Sequence, residues 1–248
     1  MDQEKERYSY FENLSNVVDE TIVRIKELPA AKCFDVNHLE KFFIPSLGLN
    51  NEALHEQPRE LEQFFGKGLH IWQYPKQLAC YLVWLAHNAN DVTSYLEIGC
   101  RWGGMFILVN EWLKKVGARL KLSVAVDPIE PTPFIKRYID VSDTPVLYFQ
   151  KFSSNPEFVE YVKQWKPEMI FIDGDHTMSG VMLDHIVARQ VAKIIVHHDI
   201  ASQACPDTSL FWTYIKLTED GFESSEFIHQ YESVHGNFLG IGVMKRKE

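Results

Sequence analysis

The sequence is poor in cysteine. It has four, Cys33, Cys80, Cys100 and Cys205, and no two of them form a CxxC pair. That spacing gives no disulfide framework, so they read as reduced thiols of a cytoplasmic protein. Long apolar runs are missing too. The longest, Leu78 to Ala86, falls far short of the ~18 residues a membrane span needs. The start, Met1-Asp-Gln-Glu-Lys-Glu-Arg7, lacks the apolar centre of a signal peptide. Basic residues are outnumbered, 25 against 34 acidic, for a net charge of −9. Such a chain repels phosphate backbones, so neither nucleic acid nor a membrane is an expected partner. There are no repeats, low-complexity tracts or obvious linkers. What remains is a 248-residue chain, 46% hydrophobic and 24% charged. That suits one α/β domain with a small helical extension.

The first 70 residues read as helical. Tyr10, Leu14, Val17, Val18, Ile22 and Ile25 recur at helical spacing over 1–28, and Pro29 marks the end. Short helical patterns follow at His38–Phe43 and Arg59–Phe65. Residues 1–70 are therefore expected to be a helical cap or an oligomerisation segment, compatible with a homo-oligomer. Residues 71–248 carry the ligand-binding domain. A buried helix is expected over 75–88, with Pro75 in its first turn.

From there strands and helices alternate. Strands are predicted at Thr93–Ile98, Leu120–Val126, Thr144–Phe149, Met169–Ile172 and Lys193–His197, with closing strands at Phe222–His229 and Asn237–Lys245. Helices are predicted at Gly104–Val116, Pro133–Ile139, Glu157–Trp165, Val181–Val191 and Leu210–Leu217. This order predicts a doubly wound, Rossmann-like α/β sheet, mostly parallel with an antiparallel last strand.

Ligands of such sheets bind beyond the carboxyl ends of the strands. Glu97-Ile-Gly-Cys-Arg-Trp-Gly-Gly104 follows the first strand and opens a helix. Gly99 permits a tight turn there, and Gly103 permits close approach of a ligand. Asp127 ends the next strand, where a carboxylate can accept from both hydroxyls of a ribose. The pattern lacks the second glycine of GxGxxG, which argues for a ligand without a pyrophosphate. The plainer alternative is a helix-entry turn with no ligand.

These residues resemble the first motif of class I methyltransferases, which use S-adenosylmethionine (SAM). The resemblance covers about residues 75–245. It implies a SAM site with Gly99 and Gly103 against the amino acid portion, Arg101 in the same turn, Glu97 toward the amino group, and Asp127 on the ribose. It also places Gln150-Lys-Phe-Ser-Ser154 near the adenine.

A second cluster is Phe171-Ile-Asp-Gly-Asp-His176, with Val196-His-His-Asp199 after the next strand. Carboxylates that converge repel unless a cation neutralises them. Oxygen ligands suit Mg²⁺, and a histidine widens the choice to Mn²⁺, Fe²⁺ or Zn²⁺. The pair of motifs resembles the metal-dependent small-molecule and sugar O-methyltransferases of the macrocin type, and the related cephalosporin hydroxylase-like proteins. By that resemblance Asp173 and Asp199 are metal ligands, with His198 where the branch usually has an acid. His176, or else Asp175, is then the general base. The implied reaction is methyl transfer from SAM to a hydroxyl of a small molecule, assisted by a divalent metal, Mg²⁺ first. The alternatives are a metal oxygenase on the same fold and a non-catalytic SAM binder.

Three further expectations concern neighbouring residues. His197 alternates with His198 and reads as structural, as does His185. Trp72, Gln73 and Tyr74 either line the cleft or staple the helix that begins at Pro75. Arg189-Gln-Val-Ala-Lys193 replaces the Pro-Gly-Gly turn common before this strand in methyltransferases.

Overall fold

The computed structural model describes residues 16–50 and 57–247. Helix α1 spans Val17–Glu27 and buries Val18, Thr21 and Ile25. The earlier part of the expected helix, with Tyr10 and Leu14, lies outside the described residues. Leu28 turns extended ahead of Pro29, because a proline disfavours helical backbone in the residue before it. A 3₁₀ turn, Ala30–Phe34, leads into a helical stretch over 36–46 with a π turn at Leu39–Phe43. Leu39, Ile44, Leu47, Leu49, Leu61 and Leu69 then enter one apolar cluster with α2 (Pro75–Asn88) and α3 (Gly104–Lys115). The described residues of 1–70 thus share a core with the sheet.

Seven strands follow: β1 Ser94–Ile98, β2 Leu122–Asp127, β3 Val146–Gln150, β4 Met169–Ile172, β5 Ile194–His198, β6 Phe222–Phe227 and β7 Ile241–Arg246. Their order across the sheet is β3-β2-β1-β4-β5-β7-β6. β7 runs antiparallel to both neighbours, and the other pairings are parallel. The fold is the expected mostly parallel Rossmann-like α/β sheet. β1, β4 and β5 are buried along their whole length. The wholly apolar β4 and the apolar first three residues of β5 fit strands covered on both faces. One face packs on α2 and α3, and the other on α5 (Pro156–Trp165), α6 (Met178–Val191) and α7 (Pro206–Thr218). The remaining helix, α4, is Pro133–Val141.

Several boundaries differ from the sequence pattern for local reasons. α6 starts three residues before Val181, because the Thr177 hydroxyl accepts from Gly180 N and caps it. α7 starts at Pro206 rather than Leu210, since proline is suited to the first helical turn. β7 starts at Ile241 rather than Asn237, because Leu239 (φ 58°) and Gly240 (φ 98°) are left-handed and cannot continue a strand. Before β5, extended Ala192 makes the turn without glycine, and its N–H closes on Ala188 O.

The register sets up the site. Ile98 pairs with Ile172, and Ile172 with His197, so β1, β4 and β5 end at one level. The chain order reverses between β1 and β4, and there a crevice opens.

His197 and His198 lie on opposite faces. His197 is fully buried, and its Nε2 lies 3.0 Å from Nδ1 of His185 on α6. Burial, helped by Arg189, lowers His185 to about 4 from its ordinary 6.5. A histidine lowered by folding is neutral in the native state, and the unfolded chain takes up its proton first as pH falls. Stability from this group is therefore complete above pH 6.5 and lost below it. Between pH 7 and pH 5 the loss from His185 is about 2 kcal/mol. Urea melts at the two pH values should show it, and His185→Gln should flatten the difference. An equal slope in the variant would show that His185 is not the titrating group.

Candidate active site

A cleft of about 270 Å³ lies over the ends of β1, β4 and β5. It is lined by Glu97, Gly99 and Arg101 from the first loop, and by Asp173, His176, His198 and Asp199 from the other two. The sequence-predicted SAM turn and acid–histidine cluster therefore face one space. Segment 68–74 adds His70 and Trp72, and the loop into α7 adds Ser202, Ala204 and Cys205. Phe238 and Leu239 close it from ahead of β7. Among the described residues, five that are not glycine have positive φ, and His70, Arg101, Asp199 and Leu239 of these line the cleft. Strain of this kind concentrates where function needs it.

The glycine turn is shaped by its neighbours. A Cβ on Gly99 would sit 2.0 Å from the carbonyl oxygen of Asp173, so the tips of β1 and β4 touch backbone to backbone. Gly103 is not part of the lining. Its φ is 88°, and the space above it is filled by Ile135, 2.5 Å from where a Cβ would be. Its smallness accommodates α4 rather than a ligand in this arrangement.

Glu97 is 1% exposed at the cleft floor. Burial pushes its carboxyl up to about 8, against the hydrogen bond donated by the Tyr95 hydroxyl. Among the described residues no lysine or arginine pairs with it. Asp127 is also buried and does not line the cleft. Its Oδ2 accepts from Arg101 N at 2.8 Å and its Oδ1 from Ile129 N at 3.1 Å. It thus ties the end of β2 to the glycine turn. Each of its oxygens keeps a second lone pair. The Arg101 guanidinium lies 4.4 Å from the centre of the Trp72 ring and 6.0 Å from that of Trp102. This cation–π stack sits at the cleft wall. Segment 150–154 does not reach the cleft; Phe152 there is 68% exposed.

The acids and histidines form the second half. Asp173 Oδ1 lies 3.2 Å from His176 Nε2 and 3.2 Å from His198 Nδ1. Asp199 Oδ2 lies 3.4 Å from His198 Nδ1 and 3.6 Å from His176 Nε2. Desolvation opposes ionisation of Asp173, but His198 and His176 outweigh it and hold it at about 2. The hydrogen bond to Asp173, then Cys205, raises His176 to about 10. In this arrangement His176 is an imidazolium at neutral pH and carries the proton a base must first lose. Asp175 is exposed and outside the lining. Its Oδ1 accepts from Thr177 N at 2.9 Å, at the start of α6.

The tautomer of His198 follows from a chain of amides. Gly240 N can only donate, and it donates to Gln77 Oε1 at 3.2 Å. The group of Gln73 that meets the same oxygen must then be its NH₂. That leaves Gln73 Oε1 facing His198 Nε2, which must carry the hydrogen. Nδ1 points the other way, at Asp173 and Asp199. It is buried and makes no aligned hydrogen bond with either. A neutral His198 would aim a lone pair at two carboxylates. Only a proton or a cation makes that arrangement favourable. Asp173, His198 and Asp199 offer donor atoms all within 4.8 Å of one another. The donor set fits a divalent cation, and Gln73 would be the outer partner that orients an imidazole ligand there.

A prediction follows for Gln73, which is fully buried and does not itself line the cleft. Gln73→Leu removes the acceptor of His198 Nε2–H. Cation affinity should fall about tenfold to a hundredfold. Calorimetric titration of the apoprotein would measure it, and unchanged affinity would deny Gln73 the orienting role. Trp72, its neighbour, does line the cleft, while Tyr74 is core, 1% exposed.

Pattern reading did not pick out Cys205, His70, Phe238 or Leu239. Cys205-Pro206 at a helix start, six residues past a strand-end acid, was the available signal for the first. The others carry none, because they reach the cleft through tertiary packing.

Comparison with known proteins gives the fold. No protein-family model and no curated protein matches the chain. Among solved structures, the O-methyltransferase from Bacillus cereus in complex with SAH is similar, with TM-score 0.50 and 14% identity, over 89% of this chain and 93% of that one. The O-methyltransferase TomG from Streptomyces achromogenes, involved in tomaymycin synthesis and in complex with SAM, has TM-score 0.49 and 11% identity over 84% and 96%. The MycE methyltransferase of the mycinamycin biosynthetic pathway, in complex with Mg and SAH, has TM-score 0.47 and 13% identity over 69% and 49%. At such identities the likeness to the first of these is one of fold. Among the described residues no helix is long and apolar enough to cross a membrane.

Proposed function

We propose that the chain is a SAM-dependent O-methyltransferase in which a divalent cation holds the hydroxyl of a small acceptor. The observation that carries this reading is Glu97. A buried carboxyl pushed up to about 8, with no lysine or arginine partner among the described residues and beside a glycine turn at the switch point of the sheet, calls for a cationic ligand group before it can ionise. The amino group of SAM meets that need without a phosphate. Asp127 holds the turn and has lone pairs left for ribose hydroxyls. The cation ligands are Asp173, Asp199 and His198. SAM supplies a reactive methyl, and the cation lowers the pKa of a hydroxyl bound to it.

The chain's own residues do the rest. Glu97 fixes one end of the donor. Asp173 and Asp199 converge from two strand tips and set where a hydroxyl is held. His176 Nε2 faces both acids within the cleft and is the base. Its proton is held there by the carboxylates, so it becomes an acceptor when their charge is taken up elsewhere. Asp175, on the outside of its loop, serves α6. The cleft volume sits near the lower end of the usual small-molecule range of ~300–1,000 Å³. A sugar or a natural-product scaffold is the acceptor class, and self-association through residues 1–70 is compatible with it.

The test is calorimetric binding of SAM, then methyl transfer to a panel of hydroxylated small molecules with and without chelator. SAM should bind, and Glu97→Gln should weaken it about tenfold to a hundredfold, the loss of one charged hydrogen bond. Wild-type protein that ignores SAM but binds NAD tightly would overturn the reading.

A further inference from the structure

The half of the cleft floor farthest from β1 holds a sulfur. Cys205 stands at the entry to α7, half-buried, and its Sγ lies 3.4 Å from Asp199 Oδ2 and 3.3 Å from His176 Nδ1. His176, Asp199 and Cys205 form a second set of donor atoms within 4.8 Å, sharing Asp199 with the first. We propose that Cys205 is a thiolate ligand of the cation at this site, and that the resulting carboxylate–imidazole–thiolate set selects Zn²⁺ over Mg²⁺. This rests on the cation reading above and specifies its chemistry.

Three observations support it. An imidazole and a thiol are poor ligands for Mg²⁺, which demands oxygen and keeps its waters, whereas Zn²⁺ takes sulfur, nitrogen and oxygen. The spacing also fits. Bonds of ~2.0–2.3 Å in a tetrahedron put neighbouring ligand atoms about 3.3–3.6 Å apart. The contacts of Asp199 Oδ2 with Cys205 and His198 are both 3.4 Å. Finally, His198 Nδ1 is aimed into the cluster, buried and without an aligned hydrogen bond. On binding, the Cys205 thiol loses its proton to solvent as the sulfur–metal bond forms.

The experiment uses the full chain, freed of metal, with Co²⁺, Zn²⁺ and Mg²⁺ as probes. Co²⁺ should give a near-ultraviolet thiolate-to-metal band, absent in Cys205→Ser. Zn²⁺ should bind about a thousandfold more tightly than Mg²⁺, and the serine variant should lose at least about tenfold of that affinity. A wild-type measurement covers a variant that does not fold. Zn²⁺, and not Mg²⁺, should protect Cys205 from alkylation, with half-buried Cys80 as the internal control. No thiolate band, or alkylation of Cys205 unaffected by Zn²⁺, overturns the inference. If transfer nevertheless requires Asp173 and Mg²⁺, the methyltransferase reading stands and only the thiolate falls. A thiolate band in a protein that binds no SAM would do the reverse.

Discussion

Asp173→Ala should lower metal-supported turnover by at least about a thousandfold, or roughly 4 kcal/mol of transition-state stabilisation. The dissociation constant for SAM should change by less than about threefold. The separation follows from position. Asp173 meets His176 and His198, both at 3.2 Å, and its carboxylate reaches Glu97 only through its charge, as a lesser cause than burial of the raised Glu97 carboxyl. The contact with Gly99 is made by the Asp173 backbone carbonyl, which alanine keeps. Removing the carboxylate takes away one of the two acids within 3.4 Å of His198 Nδ1, so Nδ1 is poorer as a cation ligand. Asp173→Asn keeps the shape and loses the charge, and should fail to nearly the same degree. Single-turnover methyl transfer with SAM in excess would measure the chemistry apart from binding. Full activity of Asp173→Ala in the presence of chelator would remove the cation from the reaction.

Gly99→Ala should be the most damaging small substitution in the glycine turn. Two causes add. At φ 80° any side chain is strained, by about 1–2 kcal/mol. The new methyl would also meet the carbonyl of Asp173 at 2.0 Å, and backbone cannot swing aside as a side chain can. The β1 and β4 tips must separate, at a total cost of at least about 3 kcal/mol. For a chain of this size that corresponds to a melting temperature lower by roughly 6–12 °C. Gly103→Ala meets only the flexible end of Ile135 and should cost about half as much. Thermal melts of the two variants compare them directly. The affinities for SAM and for the cation should both fall in Gly99→Ala, because the displaced loop carries Asp173. A variant that melts like wild type would show that the tips tolerate separation.

The sheet was legible in the chain because parallel strands covered on both faces read as unbroken apolar runs, and Met169–Ile172 and residues 194–196 are such runs. The ends of these strands were legible too: Asp173 stops one run and Asp199 follows the other after two histidines, and the register sets Gly99 level with Asp173 and Asp173 level with His198. Side-chain direction was less so. Asp127 and Asp175 stand where the pattern put them, yet one binds two backbone N–H groups and the other turns toward α6. Which hydrogen bonds a carboxylate prefers depends on neighbours distant in sequence. The amide relay is a clear case. Gln73 and Gln77 are four residues apart, one ahead of α2 and one in its first turn, and nothing in that spacing announces a histidine more than a hundred residues away. Leu239 and Gly240 were taken as strand, because hydrophobic pattern does not reveal a left-handed backbone.

That relay also sets an order of events during synthesis. The hydrogen that fixes the whole chain of amides comes from Gly240, which leaves the ribosome after Gln73, Gln77 and His198. Until it docks, Gln77 and Gln73 are free to rotate their amides, and His198 has no reason to prefer one nitrogen over the other. The acids and the imidazole are all present much earlier, but the proton that tells them apart arrives only with the final strand. Under the proposed function, orientation of the cation ligands is in this way deferred until the segment ahead of β7 docks, and a chain cut short before residue 240 would hold those side chains without their orientation.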